Sequence, residues 1–230
     1  MQFIEKNSFN VRSAVYHLKR DGGPDFFLFP MIHVGSQSFY DEIARRLMAC
    51  DLILAEGVAS KRANLLTLSY RIVKLIKRMD LVTQQDAMKG GAFRTKITNA
   101  DMAGNAFDTR WSLLPLFLRM QLLFLLPVYI LYLFLFGTRQ TLAENIALED
   151  LPSQDEILLE DERFADLDSL LIDERDRTLL GNIKRVYESG GTQTIGIIYG
   201  ARHMRNAVDF LMRNLNYHVA NAEWVTVFDL

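Results

Sequence analysis

The chain has 230 residues, half of them hydrophobic and 23% charged, with a formal net charge of −2 at pH 7. That length suits one well-buried domain or a domain with a sizeable insertion, and a near-neutral charge leaves no nucleic-acid footprint. The single cysteine, Cys50, excludes an internal disulfide framework and fits a reducing compartment.

The first residues, Met1 to Asn7, show no basic segment followed by an apolar one, so secretion is not expected. A cytoplasmic protein, or one on the cytoplasmic face of a membrane, is. Val11 to Leu18 alternates loosely, and Asp21-Gly22-Gly23-Pro24 is a turn before the apolar run Phe26 to Ile32; together they predict an antiparallel pair. That run stops at His33, followed by Val34-Gly35. Ser38-Phe39-Tyr40-Asp41 has the form of a helix start, leading a helix through Ile43, Leu47 and Met48. A second apolar run, Leu52 to Ala55, stops at Glu56-Gly57. Cys50, just before it, reads as a small core residue.

Residues 61–79 mix an apolar series (Leu65, Leu66, Leu68, Ile72, Val73, Leu75, Ile76, Met79) with Lys61, Arg62, Arg71, Lys74, Lys77 and Arg78. This is a core helix with a solvated basic face, or a helix on an anionic membrane surface. Lys89 to Thr98 reads as loop with some strand. Residues 113–136 are almost wholly apolar, broken by Arg119 and Gln121 and by Pro115 and Pro127. As a helix this segment would reach roughly 36 Å, enough to cross a bilayer core of about 30 Å. An apolar helix pair bending at Pro127, docked on a membrane surface or a partner, or covering the site, is the alternative expected here. From Ser153 the chain turns polar and helical, acid-rich over Asp161 to Asp176, up to Gly190-Gly191. A third apolar run, Thr194 to Tyr199, stops at Gly200-Ala201-Arg202-His203, and a helix and a closing strand at Val225 to Phe228 follow.

Short apolar runs of this kind are strands buried on both faces. The expected fold is α/β: a central, mostly parallel sheet with flanking helices and a helical, strongly apolar insertion. Ligands of such sheets gather beyond the carboxyl ends of the strands. If the three runs lie side by side, His33, Glu56 and His203 meet there, a minimal set for holding a divalent ion or moving protons. A simple transmembrane span at 113–136 would separate His33 and Glu56 from His203. The helix start at Gly200 would favour an anionic ligand group. His17 reads as a strand residue and His218 as part of a late loop. Ser36 beside His33 suggests a nucleophile, but no G-x-S-x-G elbow is present, and Ser36 or Ser38 suits a helix cap. Phosphate-cradling loops, dinucleotide fingerprints, H-E-x-x-H helices and cysteine clusters are absent.

These pieces together resemble the TraB/PrgY–GumN family, related to the Tiki-type metal-dependent proteases and more distantly to erythromycin-esterase and ChaN-like haem-binding proteins. That family is marked by two G-x-x-H motifs with a glutamate between them. Gly200-Ala201-Arg202-His203 matches the second motif and Glu56 the glutamate; Asp101 in Asn99-Ala100-Asp101 and Glu174-Arg175 also match family positions. The first motif departs: Pro30 stands three residues before His33, fixing φ and removing an N–H where glycine would leave both free. The resemblance covers nearly the whole chain as one domain, 1–230, with 61–150 as a variable helical insertion.

The resemblance implies a divalent-metal-dependent hydrolase with a peptide, or another amide or ester, as substrate. His33, Glu56 and His203 would hold Mn, Co or Zn; Glu56 could instead be the general base. Arg175 or Arg202 would steady an oxyanion or a substrate carboxylate, and Asp101 and Ser36 would line the substrate side. Two other readings stand beside it. One is a non-catalytic protein that sequesters a hydrophobic peptide or haem-like ligand against residues 113–136. The other is a membrane-surface adaptor with a vestigial site. A peripheral membrane contact or a homodimer through 113–136 fits any of the three.

Overall fold

The computed structural model describes residues 1–66, 73, 76–150 and 172–230. Residues 67–72, 74 and 75 of the expected helix over 61–79, and the leucine-bearing acidic stretch from Ser153 to Leu171, lie outside the described residues. The strands are β1 (Ile4–Lys6), β2 (Asn10–Lys19), β3 (Asp25–Met31), β4 (Val34–Gly35), β5 (Leu52–Ala55), β6 (Val82–Thr83), β7 (Ile97–Asn99), β8 (Thr194–Gly200) and β9 (His218–Asp229). The helices are α1 (Gln37–Leu47), α2 (Lys61–Leu66), α3 (Gln84–Ala87), α4 (Gly104–Leu113), α5 (Leu116–Phe136), α6 (Arg139–Asp150), α7 (Glu174–Ser189) and α8 (Ala201–Leu215).

The expected α/β architecture is present. The three apolar runs form adjacent parallel strands: the central sheet runs β1-β2-β3-β8-β5-β7, with β9 added on β2. β3, β8, β5 and β7 pair in parallel, and β1, β2 and β9 form an antiparallel margin. β4 and β6 make a separate small pair. Alternation along the strands divides two apolar layers. Phe29 and Met31 of β3, Ile53 of β5 and Ile198 of β8 face α1, with Leu133 of α5 and Leu142 and Ala143 of α6 in the same cluster. Phe26, Leu28, Leu54, Ile197 and Tyr199 face the opposite way, onto Leu179 and Ile183 of α7 and Met204, Val208 and Leu211 of α8.

Pro30 does not end β3, which keeps its parallel register to β8 as far as Met31 opposite Gly200. The paired residues of the β2–β3 ladder stop at Tyr16–Leu28, consistent with a proline that has no N–H to donate to that side. The buried Ser13 hydroxyl donates to the Pro30 carbonyl at 2.7 Å.

Several local expectations are corrected. Of the two expected caps Ser36 is the one used, its Oγ accepting from Phe39 N at 3.2 Å, so α1 begins two residues before the start suggested by Ser38-Phe39-Tyr40-Asp41. The apolar segment is one helix, α5, with Pro127 inside it, rather than a helix pair; proline removes one backbone bond, and the turns on either side carry the helix across. His218 opens β9 instead of sitting in a loop. Within 61–150, where some strand is expected over Lys89 to Thr98, β7 joins the central sheet beside β5. His17 is a strand residue as expected, its Nε2 2.9 Å from Asp25 Oδ2 and its ring stacked on Phe27.

Candidate functional site

The parallel strands end at one edge. Glu56 follows β5 directly, His33 and Asp101 lie two residues beyond β3 and β7, and Gly200 closes β8 and leads into α8, which carries His203. The ladder continues briefly past the strands: Glu56 N donates to Ile198 O and Ala100 N to Ala55 O, both at 3.0 Å. Because side chains alternate, Glu56 falls on the same side as Leu54, the side covered by α7 and α8. That parity brings Glu56 to Arg175 and Asp176 at the start of α7 and to His203 at the start of α8.

Arg175 ties two carboxylates together. Its Nη2 donates to Glu56 Oε1 and to Asp101 Oδ2 (2.7 Å), and its Nε donates to Asp101 Oδ1 (2.9 Å). The other Glu56 oxygen, Oε2, accepts from Gly200 N at 2.6 Å, so the helix start expected to attract an anionic ligand group already meets the chain's own carboxylate. Gly57 N donates to Asp101 Oδ2 at 3.0 Å, which holds the Glu56-Gly57 turn against β7. Burial alone would raise the Glu56 carboxyl, but the Arg175 guanidinium, followed by the His33 and His203 imidazoles, outweighs it and holds the group at about 2. Burial likewise opposes the Arg175 charge, and its bonds to Asp101 and Glu56 keep it above its ordinary range.

His203 is buried and paired with a carboxylate. Its Nδ1 is 2.6 Å from Asp176 Oδ1, while Asp176 Oδ2 accepts from Asn206 Nδ2. A carboxylate on Nδ1 fixes the tautomer and turns Nε2 to other use. The ring edge bearing that nitrogen faces the cluster: a Cβ placed on Gly200 would lie 3.5 Å from His203 Cδ2 and 3.2 Å from Glu56 Oε2. Glycine here keeps both groups close. Tyr199 stacks edge-on to His203 at 4.9 Å and lies under the Arg175 guanidinium at 5.7 Å. Its hydroxyl is buried and has no hydrogen-bond partner among the described residues. Burial, with Asp101 close by, pushes that phenol well above its ordinary value.

His33 stands in the bend just past β3. Its Nδ1 is 3.3 Å from Gln84 Oε1, and its carbonyl accepts from Gln84 N at 2.9 Å. It lies near enough to Glu56 for its charge to count there. Among the described residues, no three His, Cys, Asp or Glu side chains are gathered closely enough to hold a metal ion as they stand. Arg202 is exposed on the first turn of α8, and Ser36 caps α1; neither is hydrogen-bonded to the Glu56–Arg175 cluster among the described residues. An open hollow lined by Gly22 to Asp25, Tyr187, Glu188 and Gly190 to Thr194 lies at the amino ends of β3 and β8, the edge opposite this chemistry.

Asp176, Gln84, Tyr199 and Asn206 are the site residues that sequence reasoning missed. Asp176 had one usable signal, a carboxylate immediately after Arg175 at a helix start. Gln84 had none. The chain matches no protein-family model, and no curated protein or solved structure matches it.

Proposed function

We propose that this chain is a hydrolase of a peptide, or of another amide or ester, acting at the carboxyl edge of the parallel sheet. The observation that carries the reading is the buried Asp176–His203 pair, at 2.6 Å, set against Gly200 beside Glu56. An imidazole fixed through Nδ1 by a carboxylate serves either as a metal ligand or as a proton carrier. Two imidazoles and a carboxylate suit a divalent ion such as Mn, Co or Zn. His33, Glu56 and His203 would hold it, Glu56 through lone pairs beyond those used by Arg175 and Gly200. The ion would supply a water of lowered pKa and polarise the scissile carbonyl.

The chain's own residues do the rest. Asp176 orients His203. Arg175 and Gly200 N fix Glu56 as a carboxylate, able to accept a proton from an attacking water only when substrate or ion loosens that pairing.

The family resemblance supports the same reading, with Gly200 to His203 and Glu56 at its motif positions. The exposed apolar surface of α5 favours a second reading, a protein that binds a hydrophobic peptide or haem-like ligand without turnover. Peptide and ester hydrolysis by the parent, by His203→Ala and by Asp176→Asn, each with Mn, Co or Zn added, separates the two. The hydrolase reading expects turnover in the parent, none in His203→Ala and a loss of tenfold or more in Asp176→Asn, in line with the effect of removing an orienting partner. Absence of turnover with every ion, together with tight binding of an apolar ligand, would overturn it.

A further inference from the structure

We infer that α5 is a monotopic membrane anchor: it lies in the plane of an anionic bilayer surface and does not cross it. The inference stands apart from the hydrolase reading. At 21 residues and a mean hydropathy of 1.9, α5 is long and apolar enough to span. Only 11% of its most apolar window is buried. The exposed side includes Phe117, Met120, Phe124, Val128, Leu131 and Leu135, an apolar patch larger than a soluble monomer ordinarily leaves uncovered.

The attachment of α5 excludes a crossing in this fold. Leu118, near its start, is buried in a cluster with Phe107 and Trp111 of α4, with Val58 and Ala63 packed against it. Leu133, near its end, is buried in the main core with Met79, Leu142 and Ala143. Between them Leu122, Leu126 and Ile130 are partly buried; with Leu118 and Leu133 they form a stripe at helical spacing along one side. A helix of this length reaches roughly 32 Å, about the thickness of the hydrocarbon core. A span would carry one end away from the domain, yet both ends are packed into it. The two polar residues within the run, Arg119 and Gln121, are partly buried, so the outward side is apolar.

Charge selects the partner. No acidic residue occurs between Asp108 and Glu144; Arg110, before the start of α5, is paired with Glu174, and Arg139, after its end, donates to the carbonyls of Met79 and Asp229. Arg62 donates to Asp108 O and Ser112 Oγ beside the start of α5, and Arg78 donates to Leu135 O and Gly137 O at its end. Arginines at both ends of an apolar surface fit anionic headgroups around buried side chains. Tyr129 and Tyr132 are exposed on the helix, a residue type favoured at the headgroup level.

The test is flotation of the full chain with vesicles of phosphatidylcholine alone and of phosphatidylcholine mixed with phosphatidylglycerol. Phe124→Asp/Leu131→Asp, both at exposed positions, is the comparison. The parent should float with the anionic vesicles at least tenfold more than with the neutral ones, and the double variant should remain unbound with an unchanged circular dichroism spectrum. Leu113→Cys and Gln140→Cys, labelled separately by an impermeant maleimide outside the vesicles, report topology, because native Cys50 is buried. Both should label fully. Protection of either one until detergent is added would establish a span and overturn the inference. So would a parent that ignores vesicles, whether it is a monomer or a dimer that the double variant disperses.

Discussion

The carboxyl edge of the sheet and helix α5 solve opposite problems. At the edge, charged groups are withdrawn from water: the Glu56, Arg175 and Asp101 side chains are 15%, 13% and 0% exposed. Each is matched by a partner, because an unmatched buried charge costs several kcal/mol. On α5, apolar groups face outward without a partner in the described fold. A folded chain tolerates the first arrangement only when every bond is made. The second is tolerated when something outside the chain completes it. Substitutions at the edge should therefore be read in stability, and substitutions on α5 in association.

The largest expected effect is at Arg175. Arg175→Met leaves Glu56 and Asp101 side by side without their shared cation and should cost about 3–5 kcal/mol in urea unfolding. A loss below about 1 kcal/mol would show that the cluster contributes little to the fold. Acid should act next. The folded Glu56 value of about 2 lies below the ordinary 4.5, so its contribution, about 3 kcal/mol, is present above pH 4.5 and is lost as pH falls toward 2. Unfolding free energy followed from pH 6 to pH 2 should show that decline, and Glu56→Gln should flatten it. Ser36→Ala removes the cap of α1 and should cost about 1 kcal/mol, with hydrolysis unaffected; a selective loss of turnover would return Ser36 to the substrate side. The smallest effect is Leu131→Ser on the outward side of α5, within about 0.5 kcal/mol by thermal unfolding. A larger loss would mean that this side is covered within the chain.

The strands were legible because buried parallel strands are written as unbroken apolar runs, and each run here stops at a polar residue. Glu56 and His203 were legible for the same reason: a strand end places the next residues at the sheet edge whatever the connections are. Arg175 and Asp101 came from the family resemblance alone. Their bonds span 119 and 74 residues of chain, and no local pattern records such a pairing. Asp176 and Gln84 stayed hidden because each meets its histidine across a separate element, 27 and 51 residues away. The structure sets Gln84 Oε1 3.3 Å from His33 Nδ1, a contact that the strand ends do not record. Composition identified α5 as apolar; its packing at Leu118 and Leu133 is long-range and left no mark in the local pattern.

Calorimetric titration of Mn, Co and Zn into chelator-stripped protein, with His33→Ala/His203→Ala in parallel, tests the convergence of the two histidines and Glu56 most directly. One ion per chain in the parent and none in the double variant is the expected result. Equal binding in both, or binding in neither, would contradict a metal centre at this edge and leave His203 and Asp176 a structural pair.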